Sequence, residues 1–150
     1  MNELKKDLYN LCIKHIRERM DTAAQAISSA QQAANEDTKS SAGDKYETGR
    51  AMMDQERDRN QAQLNEANKL MAALNYININ TTSKTAEAGS LVFTNNGNFF
   101  IAVSAGTLMI NNITFFAVSP ASPIGLKLNG LKAGDSFDLN GKFYRIENII

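Results

Sequence analysis

With a single cysteine, Cys12, the chain can form no internal disulfide, which fits a reducing compartment and leaves Cys12 as a small apolar filler on a helix. His15 is the only histidine and has no Cys or His at ligand spacing, so a zinc site is not expected. The serines lack a histidine partner in any nucleophile motif, and no Gly-rich phosphate loop is present, so a self-contained hydrolase is not expected either. No run of residues approaches the roughly 18 apolar positions that span a bilayer, and Met1-Asn2-Glu3-Leu4-Lys5-Lys6 lacks the apolar core of a signal peptide. The expectation is a cytoplasmic protein with no membrane contact. Sixteen basic residues against sixteen acidic ones leave no net charge. That balance argues against independent nucleic-acid binding and makes a specific protein partner the better expectation.

What the chain does contain is unevenly distributed. The apolar content of residues 1–75 is mostly Ala with scattered Leu, Ile and Met, whereas six of the seven Phe lie between Phe93 and Phe137. The first half can build a helix seam but no thick core; the second can bury a compact one, with most of its Phe inside. From Asn2 to about Glu36 there is no Gly or Pro, and Leu4, Leu8, Leu11, His15, Ala23, Ile27, Ala30 and Ala34 recur in three- and four-residue steps, which predicts a long helix with a coiled-coil-like stripe. A second run from Lys45 to Asn75 sets Tyr46, Met53, Leu64, Ala67, Met71 and Leu74 on a similar stripe. Its seam is interrupted by Arg50, Arg57 and Asn60 and is weaker toward its start. The intervening Asn35–Asp44 is rich in turn formers and caps, and helices joined by so short a turn run antiparallel. At 1.5 Å per residue the arm would reach roughly 45–50 Å.

The helical stripe is lost over residues 78–89, which read as a connector. Beyond it, β-type runs occur at Ser90–Thr94, Asn98–Ser104, Thr107–Ile110, Ile113–Val118, Ser136–Leu139 and Lys142–Ile149. Asn96-Gly97, Asn111-Asn112 and Asn140-Gly141 are hairpin signals between them, and a small antiparallel sheet is expected. Ser122-Pro123 followed by Gly130 brackets a short helix with a capping hydroxyl, a proline at the first helical position and a terminating glycine. The expected fold class is therefore α+β. Residues 1–77 form a long antiparallel coiled-coil helical hairpin with its tip near 36–44, residues 78–89 connect, and residues 90–150 form a small β-rich domain.

The stretch from Ser122, Pro123, Ile124 and Gly125 through Leu128, Gly130, Gly134 and Asp135, ending in Phe143-Tyr144-Arg145-Ile146, is similar without a gap to the C-terminal signature of the bacterial Gre transcript-cleavage factors. Gly89-Ser90-Leu91-Val92 and Phe99-Phe100-Ile101-Ala102-Val103 fall where that family has its opening Gly-Ser strand and its Tyr-x-Ile-Val strand. Tyr46, Arg50 and Glu56 resemble the start of its second helix. The resemblance implies an FKBP-like C-terminal domain that docks on RNA polymerase at the rim of the secondary channel, while the hairpin enters it. It implies no cofactor of the chain's own, only contact with polymerase-bound magnesium. In the family two tip acids help hold that magnesium and its water, because a hard cation prefers oxygen ligands.

Counted back from Tyr46, the two family acid positions hold Lys39 and Ala42, and the following one holds Gly43. The candidates left for supporting the metal are Glu36, Asp37, Asp44 and Glu47. Against that role, Asp37 and Asp44 read equally as helix caps, stabilised by free amides and the helix dipole. Gly43 is expected to shape the tip through a positive φ. The expected function is that of a transcription elongation regulator with weak or no cleavage stimulation, itself not an enzyme. Two alternatives remain: a coiled-coil interaction or scaffold module, and a peptidyl-prolyl isomerase-like enzyme, against which stand the absence of Trp and of any isomerase constellation. A homodimer is not expected.

Overall fold

The computed structural model describes the backbone of residues 2–40 and 44–150 and the side chains of residues 3–33 and 51–150. The protein is α+β: α1 (Asn2–Ser40) and α2 (Asp44–Asn75) precede β1 (Leu91–Thr94), β2 (Gly97–Ile101), β3 (Gly106–Ile110), β4 (Ile113–Val118), α3 (Pro123–Leu128), β5 (Ser136–Leu139) and β6 (Lys142–Ile149). Helix α1 continues through Glu36 and Asp37 to Ser40, past the point where turn-forming residues begin. The chain divides into two compact units. One comprises Ile16–Lys69; the other joins Met1–His15 to Leu70–Ile150.

Within Ile16–Lys69 the buried positions among the described residues are Ile16 and Ala23 on α1 and Ala67 on α2. Along α2, Arg57 is exposed and pairs with Asp54 at 3.7 Å on the helix surface, a contact that contributes little in water. On α1 the fully covered stripe is Lys5, Leu8, Cys12 and Ile16. The apolar spacing predicts Leu11 and His15 at the centre of this face, but both are only half-buried. The face straddles two rows of side chains, and at two turns of the helix the inner row is the one C-terminal to the predicted position. Near the start of α1, Tyr9 donates its hydroxyl to Leu74 O at 3.1 Å, which ties it to the end of α2.

The sheet has the order β3-β4-β2-β1-β6-β5. It is mixed, which corrects the expectation of an antiparallel sheet, because β2 and β4 pair in parallel, Phe99 with Phe116 and Ile101 with Val118. The hairpin signals are right about neighbours but silent about how one hairpin joins the next. After β2 the segment Ala102–Ala105, buried except at Ser104, carries the chain past a strand position, β3 forms the edge, and β4 returns into the gap.

Asn111 and Asn112 have φ of 51° and 65°, the left-handed pair that a two-residue hairpin needs. Asn140 and Gly141, at 52° and 79°, do the same between β5 and β6. In the first hairpin the turn is Asn95-Asn96, one residue earlier than the Asn-Gly signal at Asn96-Gly97, and Gly97 already pairs with Thr94. Thr94 fixes this shift: its Oγ1 donates to Gly97 O at 2.7 Å and accepts from Asn96 N at 3.1 Å.

Strand alternation sends residues to two faces. Val92, Phe99, Ile101 and Ile146 join Ala86 and Leu128 in one core, with Ile124, Leu131, Phe137 and Tyr144 packed around it. Leu91, Phe100, Leu108 and Phe115 are buried on the opposite face. Of the seven Phe, only Phe116 and Phe143 are exposed.

Candidate functional site

The Ser122–Asp135 segment folds as a set of interlocking backbone devices. Ser122 sits in extended conformation at the N-cap of α3. Its Oγ accepts from Gly125 N at 3.1 Å and donates to Ser119 O at 2.6 Å, so one hydroxyl satisfies an orphan amide and fixes the preceding turn. Pro123 follows at the first helical position, where its missing N–H costs nothing. Ile124 and Leu128 point into the core. Gly125 is buried where the backbone of Ser119 and Pro120 leaves no room for a Cβ.

At the other end Asn129 N returns to Gly125 O at 3.0 Å, and Gly130, with φ of 81°, turns the chain out of the helix. Gly130 N then donates to Ala86 O and Ala86 N to Leu131 O, both at 2.8 Å, and Thr85 bridges Lys132. The end of the connector is therefore stitched to the loop after α3. Asp135 closes the next turn: Oδ2 accepts from Lys132 N at 2.9 Å, its carbonyl accepts from Ile146 N, and Gly134 N donates to Ile146 O. These hydrogen bonds bring Ser122, Pro123, Ile124, Gly125, Gly130, Gly134 and Asp135 into one framework that joins connector, α3, β5 and β6. The carboxylate of Asp135 is occupied by a backbone amide, so its chemistry here is that of a turn lock.

The tip candidates stand differently. Glu36 and Asp37 belong to α1, and Asp44 and Glu47 to the start of α2, but the side chains of all four, with those of Lys39 and Tyr46, lie outside the described residues. Ala42 and Gly43 lie outside them altogether. Among the described residues no group of three or more His, Cys, Asp or Glu could hold a metal ion.

Two groups whose contacts the sequence does not reveal are conspicuous. Lys5 is 1% exposed, and its Nζ donates to Thr81 O at 3.1 Å. Burial lowers its pKa from the ordinary 10.5, an effect opposed by the Glu87 carboxylate. Its place on the Leu8–Cys12–Ile16 stripe was the only available signal, and a lysine there reads as an interruption. The second is the asparagine pair of the first hairpin. Asn95 Oδ1 accepts from Arg145 N at 2.6 Å, and Asn96 Nδ2 donates to Phe143 O, so this turn is anchored on β6. Cys12 is fully buried, and its thiol is pushed up to about 12 by desolvation.

At the β3 edge of the sheet, Asp7, Asn10, Leu11 and Lys14 of α1 line an open groove of about 410 Å³ with Met109 and Ile110 of β3. The groove carries one acid and one cation.

The class defined by these features is an α+β protein with two long helices and a six-stranded mixed sheet. Comparison with family models, curated proteins and solved structures finds no match.

Proposed function

We propose that this chain is an RNA polymerase-binding elongation regulator that acts through the secondary channel and stimulates transcript cleavage weakly or not at all. In this reading α1 and α2 form an antiparallel coiled-coil hairpin that reaches the channel. The β-rich half is FKBP-like and supplies the docking surface. The observation that carries the proposal is the Ser122–Asp135 framework: the residues that resemble the Gre signature are those whose caps, close approach and left-handed turn build the junction of connector, α3, β5 and β6. A signature of this kind specifies a fold more directly than an activity, so the activity rests on the tip. There Lys39 would oppose the charge of a magnesium-bearing centre, and Ala42 offers no oxygen ligand. The hydrogen bond from Tyr9 to Leu74 O supports a hairpin whose ends meet at its base.

The test is binding of the full chain to core RNA polymerase, followed by cleavage in a backtracked complex. Binding without cleavage is expected, and Lys39→Asp combined with Ala42→Glu should create or raise cleavage. Failure to bind polymerase at tens of micromolar, on the order of −6 kcal/mol, would refute the proposal. Efficient cleavage by the native chain that is lost on Asp37→Ala or Asp44→Ala would refute the assignment of the tip.

A further inference from the structure

The β3 edge of the sheet carries neither a charge nor a proline. Between Glu87 and Lys127 the chain has no charged residue, so neither β3 nor its neighbour β4 presents the lysine or inward charge that normally blunts an edge. Because Asn111-Asn112 is a two-residue turn, the flanking pair Ile110 and Ile113 exchanges hydrogen bonds, and alternation makes Met109 opposite Thr114 and Thr107 opposite Phe116 non-bonded pairs. The N–H and C=O groups of Thr107 and Met109 therefore point away from β4. Both residues are exposed, Met109 by 61%, and Phe116 of β4 adds apolar surface on the same face.

We infer that β3 is an interaction edge for a second copy of this chain, pairing antiparallel about a two-fold axis through Leu108. That register sets Thr107 opposite the partner's Met109 and Met109 opposite the partner's Thr107. The four outward N–H and C=O pairs then bond across the axis, and the two sheets become one. The side chains fit the same operation. On one face Met109 lies over a threonine. On the other Ile110 stands opposite the partner's Gly106, where the space a Cβ would enter has no atom within 4 Å.

Beside Ile110 the groove lined by Asp7, Leu11 and Lys14 remains open to receive the small residues that begin the partner's β3. No charge on either strand opposes the pairing. An extended peptide from another protein could use the same backbone groups, but the match of Ile110 to the gap at Gly106 belongs to β3 meeting itself. This association goes beyond the polymerase reading and does not depend on it.

Sedimentation of the full chain over a dilution series tests the inference, with amide hydrogen exchange at Thr107 and Met109 as a local readout. A monomer–dimer equilibrium is expected, with protection of those two amides rising with protein concentration. Thr107→Pro removes a donor that β4 does not use, and Met109→Lys places a charge on the edge; each should raise the dissociation constant at least about tenfold with an unchanged far-UV spectrum. A chain that stays monomeric at several hundred micromolar overturns the inference. So does a dimer that both variants leave intact, or a dimer in which the Thr107 and Met109 amides exchange as fast as in the monomer.

Discussion

Replacing Gly125 with alanine is the sharpest test of the framework around α3. An added Cβ would stand 2.9 Å from Pro120 O and closer still to Ser119 O, where ordinary contact begins at 3.4 Å. Both obstacles are backbone, so no rotamer change relieves the clash. Relief requires either withdrawing the Ser119–Ser122 turn or tilting α3. The first loosens two hydrogen bonds to Ser119 O, from Ser122 N at 3.0 Å and Ser122 Oγ at 2.6 Å. The second drags Ile124 and Leu128 out of the core.

Two weakened hydrogen bonds at ~0.5–1.5 kcal/mol each and overpacking of ~1–3 kcal/mol outweigh the gain of up to ~1 kcal/mol from a stiffer unfolded chain. The net destabilisation is about 1–5 kcal/mol. Urea unfolding followed by tyrosine emission measures it, since the chain has no tryptophan. Gly130→Ala is the reference: that site is open, and only the left-handed backbone, φ 81°, resists the substitution, at ~1–2 kcal/mol. If Gly125→Ala costs no more than Gly130→Ala, close approach is not what selects glycine in this motif.

Leu128→Ala, at a fully buried core position, should lower stability by ~2–5 kcal/mol in the same assay; a loss below about 1 kcal/mol would show that α3 is not integral to the core. Lys5→Met should stabilise the protein at neutral pH, because an apolar side chain replaces a desolvated ammonium and the exposed Thr81 carbonyl can turn to water. The folded pKa of Lys5 lies below 10.5, so the unfolded chain holds more protons between the two values, and wild-type stability rises with pH across that window. The variant should lack the rise, and a fall in its melting temperature at pH 7 would contradict the account. Cys12, with its thiol at about 12 and no exposure, should resist a disulfide reagent at pH 8 until the protein opens. Labelling at the rate of a free thiol would disprove its burial.

Much of the β-rich half is legible in the sequence because its signals are local. Asn111-Asn112 and Asn140-Gly141 can take left-handed φ cheaply, and Ser122-Pro123 caps a helix within three residues, so turns, strand bounds and α3 follow from neighbours alone. What needs distant partners is not legible. The parallel pairing of β2 with β4 depends on where a whole hairpin docks, and the burial of Lys5 on the connector at Thr81. At Asn96-Gly97 a strong turn signal lost by one residue, because the Thr94 hydroxyl and the β6 backbone hold Asn95 and Asn96 instead. In the candidate site the Ser122–Asp135 signature could be read as backbone engineering, yet the duty of Asp135 to Lys132 N appears only once the turn is folded. The acids of the tip carry no such local rule, since a carboxylate near a helix end serves as cap and as ligand equally well.

The position of β6 sets the order in which the sheet can be assembled. This last strand lies between β1 and β5, although it is made after both. During synthesis β1 and β2 can close early, and the β3–β4 hairpin can add to β2, but the other flank of β1 stays unpaired until Lys142–Ile149 leaves the ribosome. Two further bonds between Leu91 and Ile150 continue this pairing just past β6. Pairing across some fifty positions is slow compared with hairpin closure, so the nascent chain holds an uncharged strand uncovered until β6 arrives, the condition under which misassembly competes with folding.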